Sequence, residues 1–177
     1  MTVSPNWSDV RDSLTAAIRT ALPLQLDEAK GDRVAGLGVH MDACHGSAGL
    51  YLLPESALRT MNPSYVDNIG DWPISTDWNP DDDHSQAFAS HWGKWDDWFH
   101  ENLDEFDKHG GDEWFRRLLL VACEAVREVE SSGLLDFPKT EDFRIIIAEH
   151  DEPDELALER YSIFIETGNI RCHGDPT

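Results

Sequence analysis

The sequence predicts one domain of the α/β (α+β) class. A small, mostly antiparallel sheet packs against several helices in the order α-β-β-α-α-β-α. Three observations carry this expectation. The chain has 177 residues, below the roughly 250–300 at which a single core divides. Hydrophobic residues make up 40% and aromatics 10%, enough for a core in spite of the charge. Apolar spacing switches from every third or fourth residue to alternation and back, as when helices and strands share one core. The globular part is expected to span 1–166, with a frayed tail over 167–177.

Residues 6–22 read as an amphipathic helix, with Trp7, Val10, Leu14, Ile18 and Ala21 at helical spacing. Asn6 or Ser8 caps its start and Pro23 is expected to end it. Residues 33–42 alternate as a strand, with Ala35, Leu37, Val39 and Met41 on one face and Val34, Gly36, Gly38 and His40 on the other. The glycines weaken the strand but let a neighbour approach closely. A turn at 43–47 leads to a second strand, 48–53, and the two form an antiparallel hairpin. Pro54 stops it, and 55–61 reads as a short helix. Prolines at 63, 73 and 80 keep 62–83 irregular, apart from a brief strand at 74–78.

Residues 84–108 carry the stripe Phe88, Trp92, Trp95, Phe99, Leu103 and Phe106 of a long helix. Gly110 and Gly111 interrupt it. Residues 112–131 form a second long helix with the stripe Trp114, Leu118, Val121, Ala122, Ala125 and Val129, and Gly133 stops it. The β-branched run in 143–148 predicts a central, buried strand. A last helix covers 153–165.

Acidic residues number 35 against 14 lysines and arginines, a formal charge of −21. Such a surface repels phosphate, which argues against a nucleic-acid or anionic-membrane partner. No apolar run approaches the roughly 18–20 residues of a membrane span. The opening Met-Thr-Val-Ser-Pro-Asn-Trp lacks a signal pattern, and the three scattered cysteines are no disulfide framework. Both point to a reducing cytoplasm. The acid is uneven: residues 77–113 hold twelve acidic residues against Lys94 and Lys108, a local balance of −10.

No phosphate-binding glycine loop, dinucleotide fingerprint or nucleophile elbow occurs. A calcium loop starting at Asp77 fails, because Asp82 and Phe88 stand where glycine and glutamate are required. No cofactor is expected. The string His40-Met-Asp42-Ala-Cys44-His45 offers His40, Asp42 and His45 as candidate metal ligands at the end of a strand. Six of the seven tryptophans lie between 72 and 114. Trp92 and Trp95 suit the core, whereas Trp72, Trp78 and Trp98 are harder to bury.

The opening helix and the glycine-bearing hairpin 33–53 resemble a bacterial group, domain-of-unknown-function family 4303. So do Trp72 and Trp78 in a polar loop before a long helix, and the strand 143–148 followed by Asp151-Glu-Pro-Asp and a helix. The resemblance implies a small bacterial α/β protein, and it carries over no catalytic residue. By analogy it suggests an immunity or partner-binding role.

The leading functional expectation is a non-enzymatic cytosolic binding protein of the immunity type, engaging a basic protein partner. Its face comprises Trp78, Asp81, Asp82, Asp83, Asp96, Asp97, Trp98 and Glu101. Charge speeds the encounter and aromatic anchors hold it. The alternatives are a metal-dependent hydrolase built on the 40–45 turn, and a structural homodimer joined through the aromatic surface.

Overall fold

The computed structural model describes residues 4–42, 46–77, 79–103, 111–150, 152–172 and 175, with only the backbone at 111 and 112. Its elements are α1 (Trp7–Glu28), β1 (Val34–Asp42), β2 (Ser47–Pro54), α2 (Glu55–Leu58), β3 (Ile74–Ser75), α3 (Asp83–Glu101), α4 (Gly111–Ser131), β4 (Lys139–Glu149) and α5 (Asp154–Thr167). Two 3₁₀ turns, Pro63–Tyr65 and Ile69–Asp71, precede β3. The expected α+β domain is what is observed.

The sheet has the order β3-β2-β1-β4. β1 pairs antiparallel with β2, and β2 with β3, while β1 and β4 run parallel. α1, α3 and α4 cover one face, where Leu14, Ile18, Trp92, Leu118 and Val121 meet Leu37, Val39, Leu50 and Ile147. The opposite face is thinner, with Ile69, Trp72 and Ala157 packed on Ala35, Tyr51, Leu53 and Ile146.

Five expectations are corrected. Pro23 does not end α1 but lies inside it. Proline removes one helical hydrogen bond, yet Leu22 and Gln25 on either side are fully buried, and Gln25 Nε2 donates to the Leu50 carbonyl at 2.9 Å. Burial keeps the helix going for another turn. Secondly, Val34 joins the larger core and Ala35 the smaller one, the reverse of simple alternation. A register irregularity between Val34 and Gly36 inverts the faces there, as an extra residue in a strand does. Thirdly, β4 is an edge strand. Its isoleucines are explained by cover on both faces, since Ile147 packs in one cluster and Ile146 in the other.

Fourthly, Trp72 is fully buried. Its indole sits against the glycine at position 36, where an added Cβ would be 3.0 Å from Cζ3 and closer still to Cη2. Its Nε1 donates to the Val66 carbonyl at 3.1 Å. Gly38 admits Ile69 in the same way, its hypothetical Cβ falling 2.9 Å from Cγ2. The close approach expected at both glycines is therefore made by the 69–72 turn. Finally, the tail is packed as far as Cys172: Ile170 and Cys172 are buried, and Asp175 accepts from Arg116 and from the Cys172 N–H. Apolar residues at 170 and 172 bury against the larger core, which a polar composition average conceals. α3 ends at Glu101; the part of the expected long helix over 104–108 lies outside the described residues.

Candidate functional site: an acidic cleft at the end of the parallel strands

β1 and β4 end together, with Met41 opposite Glu149. The carboxyl ends of adjacent parallel strands leave a crevice where loop side chains gather. Here His40 comes from β1, Tyr51 from β2, and His150 follows β4. The His40 ring stands edge-on to Tyr51 at 6.3 Å and to His150 at 6.0 Å between centroids. These three side chains line two adjoining cavities. One, of about 400 Å³, runs toward the 67–70 turn and Glu152. The other, of about 450 Å³, opens between β2 and α3 and is bounded by Asp42, Asp77, Ser85, Trp92 and Asp96.

Asp77 is held from several sides. Its N–H donates to Ser75 Oγ at 3.0 Å, Thr76 Oγ1 donates to Oδ1 at 3.3 Å, and the Tyr51 hydroxyl donates to Oδ2. The carboxylate lies where a side chain at Gly49 would begin. Gly49→Ala is thus expected to expel it, leave the Tyr51 hydroxyl without its acceptor, and cost about 1–3 kcal/mol, read as a lower urea midpoint. Burial first, and the neighbouring Asp77 charge second, push the Tyr51 hydroxyl well above the usual phenol range, so it remains a donor.

Burial lowers the His40 imidazole, and the opposing pull of Asp77 and Asp42 does not reverse it. The ring therefore stays neutral to lower pH than a free histidine. Asp96 is raised, by burial first and by Asp97 next; Asp77 and Asp42 add to this, and His100 opposes it. Three carboxylates thus share one cleft, and no lysine or arginine is among its described lining residues. Ser85 is 5% exposed and its Oγ has no hydrogen-bond partner among the described residues.

The floor is braced by a buried ion pair. Arg160 and Glu152 form two parallel hydrogen bonds, with side chains 0% and 2% exposed. Arg160 also donates to the carbonyls of Ile147 and Arg171. Glu152 accepts from the Glu149 N–H at 2.7 Å. β4, the loop after it and α5 are tied at one point.

The structure divides the expected acidic face. At about 100° per residue along a helix, Asp83, Asp97 and Glu101 fall within about 40° of one line, and Asp96 lies about 140° away from it. Asp83, Asp96, Asp97 and Glu101 are all exposed, but of these four it is Asp96 that lines the cleft. Asp81 is exposed before the helix, and Asp82 sits at its N-cap, accepting from Asn79 Nδ2 at 2.7 Å. Asp83 and Asp97 are about 21 Å apart along the axis.

Trp98 is half-buried, stacked on Trp114 at 5.6 Å and edge-on to Phe99 at 5.1 Å. It belongs to an aromatic cluster with Trp7 and Trp95. Trp78 and His45 lie outside the described residues. β1 continues through Asp42, so His40 and Asp42 share a face and line the same cavity. Among the described residues no group of three or more His, Cys, Asp and Glu side chains is disposed to hold a metal ion. Burial pushes the Cys123 thiol up to about 12 and raises that of Cys172, so neither is an activated nucleophile.

Sequence reading missed Tyr51, Asp77, Ser85 and His150. The usable signal was glycine at 36, 38 and 49, each leaving room on one sheet face for a side chain distant in sequence. The chain matches no family model, no curated protein and no solved structure.

Proposed function

We propose that this is a non-enzymatic binding protein, acting in a reducing cytoplasm, that engages a basic protein partner through the exposed acids of α3 and the loop before it. The observation that supports this reading is unneutralised charge. Among the described residues, none of Asp81, Asp83, Asp97 and Glu101 forms an ion pair, in a chain whose formal charge is −21. Like charges left unpaired along about 20 Å of helix cost self-repulsion, which an opposite surface relieves. No helix among the described residues is long and apolar enough to cross a membrane.

The resemblance to family 4303 adds the immunity-type role to this proposal and gives no residue a function. The aromatic homodimer has less support: Trp92 and Trp95 are buried, and the exposed large hydrophobics among the described residues are Tyr65 and Ile165.

The test is kinetic. With a basic partner co-purified at fixed stoichiometry, the association rate is expected to fall about tenfold or more from low to high salt. Reversing charge at Asp81, Asp83, Asp97 and Glu101 together is expected to remove most of that salt dependence. A rate indifferent to both contradicts the proposal.

A further inference from the structure

Away from the acidic cleft, the start of α1 and the first turns of α4 border an open groove of about 770 Å³. That is inside the range of small-ligand sites, roughly 300–1,000 Å³. Glu113, Arg116, Arg117 and Leu120 line it from one face of α4, where residues three or four apart are neighbours. Trp7 and Trp114 line it as well, packed edge-on to each other at 6.2 Å between centroids.

The sign of a ligand is Arg117. Acidic residues outnumber lysines and arginines 35 to 14, and every other arginine has a partner. Arg127 lies over the Phe164 ring at 5.9 Å, and the rest form ion pairs. Arg117 alone has neither a carboxylate nor a ring partner among the described residues. Glu113 stands four residues earlier on the same face, but it is exposed and makes no ion pair with Arg117. Arg117 is half-buried beside apolar side chains. A partly desolvated cation without a counter-charge is stabilised by a bound anion.

The lining selects the chemical class. Asp175 already neutralises Arg116, so one guanidinium remains and calls for one negative charge. A carboxylate meets it through two parallel N–H donors. The chain's charge of −21 and Glu113 at the groove disfavour polyanions such as phosphates. Trp7, Trp114 and Leu120 suit an apolar body, and indoles pack well against a second aromatic ring.

We propose that this groove binds a small aromatic monocarboxylic acid, its carboxylate on Arg117 and its ring against Trp7 and Trp114. The site is separate from the acidic stripe of α3 and does not depend on a basic partner.

Calorimetric titration of the full chain with sodium 2-naphthoate at low ionic strength is expected to give saturable one-to-one binding. Arg117→Gln weakens it by about tenfold or more, through loss of a charge-assisted hydrogen bond. Arg117 holds no other group in place, so this variant is expected to keep the parent's urea midpoint. Arg117→Lys keeps the charge but not the paired donors, and retains only part of the affinity. Arg127→Gln removes an equal charge about 15 Å along the helix and changes affinity by less than about twofold. Glu113→Gln strengthens binding by about twofold, since a neighbouring carboxylate no longer competes for Arg117. 2-Naphthamide, equal in shape but uncharged, binds about tenfold more weakly.

Binding that does not saturate, that falls equally in Arg117→Gln and Arg127→Gln, or that 2-naphthamide matches would overturn the site. Tighter binding of the peptide acetyl-Gly-Gly-Phe than of 2-naphthoate would overturn the assignment to a small acid and put a protein C-terminus in its place.

Discussion

Glu152→Ala is expected to destabilise the fold by about 3–5 kcal/mol, because it leaves the Arg160 guanidinium buried without its counter-charge. Arg160 has no exposed surface, so in the parent its charge is balanced by protein groups alone. The Glu149 N–H loses its acceptor as well. The loss is read as a fall in the urea midpoint at unchanged slope. The double variant Glu152→Leu, Arg160→Leu separates the cost of an orphaned charge from the value of the pair. Replacing both partners by apolar groups removes the unpaired charge and is often near neutral. Here about 1–3 kcal/mol is expected to persist, because the carbonyls of Ile147 and Arg171 lose their donor. If the single variant melts like the parent, Arg160 is reached by solvent and the loop after β4 is not braced as described.

Trp72→Ala is expected to cost about 3–5 kcal/mol, through loss of buried area and the cavity left over the sheet. The indole covers Gly36 on the thin face, where Ile69 and Ala157 complete the layer. Gly36→Ala approaches the same contact from the other side. The added methyl overlaps the ring, and overpacking of this kind costs about 1–3 kcal/mol. In the Trp72→Ala background the same substitution is expected to be nearly neutral, since the methyl then enters vacated space. A coupling of about 1 kcal/mol or more in this double-mutant cycle is the expected result. Additive effects would mean that the indole does not rest on β1.

The architecture was legible where local pattern and burial agree. The stripe of α3, Phe88, Trp92, Trp95 and Phe99, is buried as the spacing predicts. The hairpin pairs antiparallel along nearly its whole length. The errors share a physical cause, which is that tertiary packing overrode a local rule. Pro23 obeys its propensity in isolation, but buried Leu22 and Gln25 carry the helix past it. The isoleucines of β4 register cover on two faces, which a central strand and a doubly covered edge strand share. The residue-by-residue alternation of β1 fails at the irregularity after Val34.

The site was legible only in part. His40 and Asp42 were marked by their position at a strand end, and Asp96 by the run of acids. Asp77 and Ser85 lie beyond β3 and at the start of α3, and Tyr51 belongs to another strand. Nothing in linear spacing joins them to His40. Pairing of β2 with both β1 and β3 brings them together. Helical geometry likewise divides Asp96 from Asp97, adjacent in sequence, between a cleft and an exposed stripe.

Native mass spectrometry of the protein purified from its own cells at low salt, beside the variant reversed at Asp81, Asp83, Asp97 and Glu101, bears hardest on the binding reading. A basic protein held at fixed stoichiometry by the parent and released by the variant is the predicted result. A bare chain in both preparations, or a partner retained equally by both, would contradict it.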